Sequence, residues 1–281
     1  MATQEGAHHL PDNKAERDYD LESGHSNSHS QANLNGGAPL NRQISIQLSN
    51  EQYERLFLQT GGVGGKGDLA KRLGNPTPLG IASFLLCLTP FACDLMGWGG
   101  TTSNAGAVTI GAFYFIGGLG LYLAGLLEWV LGNTFPATVF STFGGFWLAF
   151  AFLLQPTQGI SNALGATSVD YNAGLALYLV WWGVLVLIYL VASLRTNLVF
   201  VALFFFLDIT FWLLVGAYLN ISKANVSNLT MILKAAGAFA FLTCACGWYL
   251  MLVLTLGSTG FPFALPVGDM SGFMARKAKQ T

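Results

Sequence analysis

The polar and apolar residues of this 281-residue chain are sharply segregated. Residues 1–41 are rich in Asn, Ser, His, Gly and acidic side chains, whereas apolar runs dominate from position 79 onward. Six of these runs reach the roughly 20 residues that a helix needs to cross a hydrocarbon core. They cover residues 79–98, 105–131, 135–154, 173–194, 198–219 and 229–256. The pattern therefore predicts an all-α membrane protein with six transmembrane helices.

The same pattern divides the chain into three regions. Residues 1–74 form a predicted disordered tail, because they contain too little apolar surface to offset the entropy of folding. Within this tail, residues 49–59 open with a capping box and carry apolar side chains at helical spacing, which predicts a short amphipathic helix. Residues 75–260 form the six-helix domain and 261–281 a second tail. We expect the part of this tail before Lys66 to be dispensable for the activity of the domain, because it is poor in apolar residues and is joined through glycines.

The composition and the placement of basic residues define the setting of this domain. A chain that is 53% hydrophobic and 10% charged is atypical of soluble proteins. Basic residues near the apolar runs favour one side of the membrane, with only Lys223 in a loop on the other. Those on the favoured side are Lys66, Lys71, Arg72, Arg195, Arg276, Lys277 and Lys279. This distribution predicts that both tails of a multi-pass membrane protein are cytoplasmic.

Catalytic chemistry has no candidate residues in the predicted helices. They contain no nucleophile next to a base, no metal-binding cluster and no phosphate-binding loop. The four cysteines lie inside apolar runs without histidine nearby, which is typical of packing residues. We therefore expect no enzyme activity, no cofactor or metal, and no nucleic acid as a partner.

The stretch NPTP at positions 75–78 stands directly before the first apolar run. A residue before proline is disfavoured in a helix, so Thr77 is the predicted N-cap and Pro78 the first helical residue. Asn75 and Pro76 then form a rigid lead-in, and the Asn75 amide stays available at the cytoplasmic mouth of the domain. The alternative is that the whole stretch only starts the helix.

Three predicted helices begin on this cytoplasmic side, namely the first, third and fifth. Asn133 and Thr134 precede the third helix and Asn197 precedes the fifth. Helix N-termini carry partial positive charge and free N–H groups. If they surround one vestibule, they would suit a small anion without any buried arginine.

Several ordered motifs resemble one family of transporters. NPTPLGIASF (75–84) is similar to the NPAPLGL signature of the acetate uptake transporter family, with departures at Thr77 and Ile81. AGLLEWVLGNTF (124–135), STFGGFWL (141–148) and LPVGD (265–269) also resemble its pattern. These small six-helix carriers occur in microbes and fungi, and the long polar tail of this chain resembles the fungal branch.

The resemblance implies an assembly and a pore. The expected assembly is a homohexamer in which each protomer has its own pore, narrowed at mid-membrane by three apolar side chains. Matching motifs place these side chains at Phe84, Phe143 and Phe206, although a slip of one residue would select Leu207 instead of Phe206. The ordinary fate of such phenylalanines, packing in the core or facing lipid, is the alternative.

Three acidic residues lie within the apolar runs: Asp94 near the outer end of the first run, Glu128 and Asp208. Asp208 is placed midway along the fifth helix, where a charge is costly, and its candidate partner is Lys234, with Asp94 as a competitor for that lysine. A structural pair and a role in proton coupling both remain open. Because Asp208 lies about 200 degrees around the helix from Phe206, the two side chains cannot both face one pore.

Glu128 is the second of these acids. It stands near the cytoplasmic end of the second helix, where its charge opposes the helix dipole. An architectural role is therefore expected. The candidate partners are Arg72, Arg195, or N–H groups around Asn133 and Thr134.

The resemblance and the apolar pore that it implies together predict transport of acetate and similar short monocarboxylates across the plasma membrane. The expected partners are the carboxylate, protons, the lipid bilayer and other copies of the chain, with either proton-coupled or channel-like passage. One alternative is export of ammonia or ammonium, which an acid facing the pore would favour. Another is a membrane sensor or scaffold without transport.

Overall fold

The computed structural model describes residues 73–225, 227–262, 265–268 and 270. The amphipathic helix predicted at 49–59, the polar tail before Leu73 and most of the second tail, including Asp269, lie outside these residues. The described part is helical, and six of its helices are long and apolar enough to cross a membrane. In chain order they are α1 (Thr77–Met96), α2 (Ala105–Val130), α3 (Thr134–Leu154), α4 (Val169–Ser193), α5 (Leu198–Ser222) and α6 (Leu229–Ser258).

Each predicted apolar run corresponds to one of these helices, so the six-helix prediction is confirmed. The largest difference in a helix start is at α4, which begins at Val169 rather than at residue 173. The Ser168 hydroxyl accepts a hydrogen bond from the Tyr171 backbone N–H at 3.1 Å and caps this extra turn. The apolar run starts at residue 173, but the helix also includes the more polar turn before it.

The six helices are arranged in a ring, in which each helix contacts the helices before and after it in the chain. Neighbours in the chain contact each other from α1 to α3 and from α4 to α6, and α6 returns to α1. Side chains join α3 to α4: the Phe143 and Trp182 ring centroids are 5.5 Å apart, and the Thr142 and Tyr189 hydroxyls form a hydrogen bond of 3.0 Å. The six helices thus surround an interior filled by their own aromatic side chains.

The starts of α1, α3 and α5 meet at one end of this ring. Glu128, near the end of α2, is hydrogen-bonded to Thr77 of α1 and to Asn133 before α3. The Phe135 ring at the start of α3 packs against Phe204 of α5 at 6.2 Å. We call this the asparagine end, because Asn75, Asn133 and Asn197 lie there.

The segment after α6 folds back onto the asparagine end. The Leu198 N–H donates to the Gly268 carbonyl at 2.8 Å, and the Tyr249 hydroxyl donates to the Pro266 carbonyl at 2.6 Å. Gly268 has a φ of 70°, a left-handed conformation that glycine adopts without strain. This return fixes residues 265–268 against the start of α5.

Helix α2 contains an unusual wide turn. Residues Phe113–Gly120 form a π-helical segment inside it. Neighbouring backbones approach closely here, since a Cβ added at Gly144 of α3 would lie 2.9 Å from the Gly118 carbonyl oxygen. Glycine at these positions therefore lets α2 and α3 pack backbone against backbone.

Candidate substrate pathway

A small cavity of about 30 Å³ lies inside the ring. Its lining among the described residues consists of apolar side chains from α1, α2, α3 and α5: Ile81, Phe84, Leu121, Val139, Phe140, Phe143, Phe200, Leu203, Phe204 and Leu207. A space of this size holds about one or two water molecules. The interior between the asparagine end and the middle of the bundle is therefore narrow and lacks polar lining.

Two of the three predicted constriction residues meet at this cavity. The rings of Phe84 and Phe143 pack edge to face, with centroids 5.6 Å apart and an interplanar angle of 69°. Both side chains are buried, with 9% and 4% of their surfaces exposed. Trp182 of α4 supports the Phe143 ring from another side at 5.5 Å. These contacts hold both rings in place across the cavity.

The third predicted residue, Phe206, does not line the cavity. Its ring packs against Phe205 and against Phe239 of α6, with centroids 5.5 and 6.2 Å away. Leu207 takes the expected place and is only 2% exposed. Because one residue turns a helix by 100 degrees, a slip of one position in matching the motif selects the wrong face. Leu207, the alternative that a slip of one residue selects, lines the cavity in place of Phe206.

The start of α1 also differs from the prediction. Thr77 is the first residue of the helix, and the side chain of Asn75 rather than that of Thr77 satisfies the first turn. The Asn75 Oδ1 accepts the Thr77 backbone N–H at 2.9 Å, while Pro76 adopts helical angles and Pro78 occupies the second helical position. The Thr77 side chain does not cap the helix, because its hydroxyl is hydrogen-bonded to a different residue.

That partner is Glu128, which is fully buried. Its Oε1 accepts a hydrogen bond from the Thr77 hydroxyl at 2.5 Å, and its Oε2 accepts one from Asn133 Nδ2 at 2.6 Å. The Asn133 backbone N–H also donates to the Glu128 carbonyl at 2.9 Å. Of the partners considered from the sequence, the start of the third helix is confirmed; Arg195 is exposed and Arg72 lies outside the described residues. Glu128 thus ties three helix ends together.

The three vestibule residues have different environments. The Asn133 amide nitrogen is committed to Glu128, and Thr134 is exposed. Asn197 is fully buried, and its Oδ1 caps α5 by accepting the Phe200 backbone N–H at 2.9 Å. Its Nδ2 is buried and has no hydrogen-bond partner among the residues that the structure describes. Asn197 is therefore the member of this set that keeps a buried donor free.

The intramembrane charges do not form the predicted pair. Asp208 accepts a hydrogen bond from the Trp212 indole nitrogen at 3.2 Å, one turn along its own helix, and does not line the cavity. Lys234 is exposed and Asp94 is partly buried, and no ion pair links these residues in the part of the chain that the structure describes. The indole of Trp212 lies against Gly183, so Asp208 is held beside the contact of α4 and α5.

Comparison with known proteins identifies the group to which the chain is related. The model of the GPR1/FUN34/yaaH family matches residues 63–272. The chain belongs to this family. The acetate uptake transporter resemblance is thereby confirmed.

Across the described residues, no group of three or more His, Cys, Asp or Glu side chains lies close enough to hold a metal ion.

Relatives within the GPR1/FUN34/yaaH family have several different names. Protein alcS of Aspergillus fumigatus is 40% identical over 244 residues, which is 84% of this chain and 89% of that protein. Acetate transporter protein patA of Aspergillus clavatus is 35% identical over 73% of this chain and 81% of its own length. Ammonia transport outward protein 3 of Saccharomyces cerevisiae is 33% identical, and the alignment covers 73% of each chain.

A solved structure from the same group has a similar fold. The bacterial acetate channel SatP superposes with a TM-score of 0.57 and 29% sequence identity, covering 70% of this chain and 99% of that one. The six-helix fold of this member of the GPR1/FUN34/yaaH family is therefore that of a multi-pass membrane protein.

One hydroxyl pair in this family member escaped the sequence analysis. The Thr142 and Tyr189 side chains are bonded beside the constriction, and the Tyr189 ring also packs against Phe143 at 6.4 Å. Nothing in the sequence connects two residues that are 47 positions apart on different helices. The GNTF and STFGGFWL motifs locate α3 but do not indicate which residue of α4 it meets.

The dual surroundings of Asn75 lead to a testable prediction. Asn75→Ala removes both the cap and the exposed amide, and we expect a loss of about 1 kcal/mol in stability together with reduced uptake. Asn75→Ser keeps an oxygen that can accept the Thr77 N–H but removes the amide donor. We expect the serine variant to have near-normal abundance and reduced uptake of substrate, measured per molecule of surface protein. Normal uptake by the serine variant would reduce Asn75 to a folding signal.

Proposed function

We propose that this protein transports acetate and similar short monocarboxylates across the plasma membrane through the interior of its helix ring. The observation that carries this function is the narrow apolar cavity that Phe84, Phe143 and Leu207 line together. The relatives named as acetate transporter and acetate permease, and the related acetate channel, support the same substrate. The dimensions of the cavity favour small molecules.

The apolar lining determines which form of the substrate passes. A carboxylate ion would lose its hydration at the constriction without gaining protein hydrogen bonds there, whereas the neutral acid crosses at much lower cost. The substrate would then carry its own proton, and coupling would need no relay residue. This agrees with the position of Asp208 outside the cavity lining.

The asparagine end supplies the polar contacts before the constriction. Within the described part of the chain the buried Asn197 Nδ2 has no hydrogen-bond partner, and the exposed Asn75 lies at the start of α1. Both stand at helix N-termini, where the backbone dipoles favour negative charge. The proposed vestibule therefore depends on Asn75 and Asn197, while Asn133 and Thr134 contribute through the architecture of the same end.

The proposed function predicts a strong dependence of uptake on pH. A carboxylic acid titrates near pH 4.3 on the scale of glutamate, so about 80-fold more of it is neutral at pH 5 than at pH 7. Uptake of labelled acetate by proteoliposomes, at equal total acetate, should rise steeply between about pH 7 and about pH 5. Empty liposomes at both pH values give the background from direct permeation. Equal protein-dependent uptake at both values would contradict passage of the neutral acid.

The same proteoliposomes distinguish the competing functions. Ammonium transport remains the main alternative, because relatives are named ammonia transport outward proteins. An ammonium pathway would prefer an acid in its lining, and the described lining contains none. Acetate uptake that lactate inhibits and ammonium does not would support our proposal. Ammonium flux alone would favour the alternative, and the absence of any flux would favour a sensor or scaffold.

We further propose a homohexamer with cytoplasmic termini, in which each protomer keeps its own pathway. Large apolar side chains extend away from the ring on α2 and α4, and Phe115, Trp129 and Trp181 are 72%, 72% and 71% exposed. In a membrane such surfaces contact lipid or another protomer. The mass of the complex purified in mild detergent tests the assembly, and a monomeric mass would contradict it.

A further inference from the structure

Two buried side-chain nitrogens lack a hydrogen-bond partner within the described residues. One is Asn197 Nδ2, at the asparagine end, and the other is Trp147 Nε1 on α3. Trp147 is only 2% exposed, so bulk water does not satisfy its N–H. A buried donor without a partner is uncommon in folded proteins and calls for a specific explanation, such as a water molecule or a ligand.

The position of Trp147 relates it to the constriction. It follows Phe143 by four residues, which places both side chains on one face of α3 and separates them by one helical turn, about 6 Å. Since α3 begins at the asparagine end, Trp147 lies on the far side of Phe143 from that end. The two orphan donors therefore lie on opposite sides of the apolar constriction.

The neighbours of the Trp147 indole make packing contacts with its ring and no hydrogen bond to its Nε1 within the described residues. Its ring packs against Phe113 of α2 at 4.7 Å and against Phe150 at 6.2 Å. A Cβ added at Gly117 would lie 2.8 Å from Trp147 Cγ and 2.8 Å from Cys87 Sγ, so the glycine makes room for the indole where α1, α2 and α3 meet. The Cys87 thiol itself donates to the Ala112 carbonyl. The indole is thus surrounded mainly by aromatic rings, and among the described residues its Nε1 has no acceptor.

We propose that Trp147 Nε1 donates a hydrogen bond to a carboxyl oxygen of the substrate once it has passed the constriction. The indole nitrogen is a donor only, so its partner must be an acceptor, and both the ionised and the neutral carboxyl group provide one. An ammonium ion has no acceptor and cannot use this site. The inference rests on the proposed function, because it assigns a second contact to the substrate of the same pathway.

Replacing Trp147 tests the proposal through transport kinetics. Trp147→Phe keeps an aromatic ring but removes the N–H, and we expect the half-saturating concentration of acetate to rise by about tenfold, as for the loss of one hydrogen bond to a charged or polar acceptor. Trp248→Phe is the matched control, because the Trp248 indole already donates to Thr89 Oγ1 at 3.1 Å. The control should leave acetate affinity unchanged. Equal acetate affinity in Trp147→Phe and the unmodified protein would overturn the inference.

A measurement on the unmodified protein avoids any effect of the substitution on folding. The indole ¹H–¹⁵N resonance of Trp147 can be identified by its absence from the spectrum of Trp147→Phe. Acetate, but not chloride, should shift this resonance in a saturable manner. If acetate is transported and the resonance does not respond, water or backbone satisfies the N–H and the inference is wrong. If the resonance responds while no acetate crosses the membrane, the site stands and the proposed transport function fails.

Discussion

Phe143→Ala and Leu207→Ala should each raise the ratio of lactate uptake to acetate uptake by about tenfold, the scale on which a small change of volume alters selection in an apolar pocket. Both side chains line the narrow cavity and both are almost fully buried. Removing most of a ring or of a leucine side chain at this point enlarges the passage, and the larger lactate gains more from that than acetate does. The ratio is measured in proteoliposomes with labelled substrates and is normalised to the amount of protein.

Phe206→Ala provides the control for this experiment. Phe206 is adjacent to Leu207 in the chain but packs against Phe205 and Phe239 instead of lining the cavity. Its truncation should lower stability and depress both substrates together. Phe143→Ala should also lower the free energy of unfolding, by about 3 to 5 kcal/mol for a buried phenylalanine. Absolute uptake rates therefore do not distinguish a wider passage from a less stable protein, and the ratio of the two substrates is needed. A raised ratio in Phe206→Ala with unchanged ratios in the other two would place Phe206, and not Leu207, in the pathway.

The sequence predicted the helices because their signal is long and simple. A run of about 20 apolar residues has few alternatives to a membrane helix, so six runs became six helices. The rotation of each helix was harder to predict. Helix α5 is apolar on all sides around Phe204, Phe205, Phe206 and Leu207, so no polar face indicates which residue points inward. A motif matched one residue out of register then selects Phe206 instead of Leu207, which lines the cavity.

The polar contacts were predicted less well because they depend on distant partners. The rule that a residue before proline avoids a helix made Thr77 the expected cap. In the structure, the Thr77 hydroxyl instead reaches Glu128, 51 residues away in the chain, and Asn75 takes over the cap. For Asp208 the error was the reverse. The candidate partner was a lysine on another helix, whereas the observed partner is Trp212 of the same helix. Local rules cannot weigh such contacts before the packing is known.

The contact between Thr77 and Glu128 should be among the most important polar contacts for stability. Glu128→Leu keeps much of the volume but leaves the buried Thr77 hydroxyl and the Asn133 amide without their acceptor. Because each unpaired buried group costs about 1 to 3 kcal/mol, we expect a loss of about 2 to 4 kcal/mol in the free energy of unfolding. Glu128→Gln should lose about 1 kcal/mol or less, since a glutamine oxygen can still accept from Thr77. Titration with denaturing detergent gives these free energies.

A double-mutant cycle isolates this contact from other effects of the substitutions. Thr77→Val alone should cost about 1 kcal/mol, because Glu128 retains Asn133 as a donor. In Thr77→Val/Glu128→Leu both partners are apolar, so the penalty for an unpaired Thr77 hydroxyl disappears. The double variant should therefore be at least about 1 kcal/mol more stable than the sum of the two single losses predicts. Thr77→Ser keeps the hydroxyl and should resemble the unmodified protein. Strict additivity would show that Thr77 and Glu128 act independently, and Glu128 would then join the end of α2 to the start of α3 through Asn133 without stabilising the start of α1.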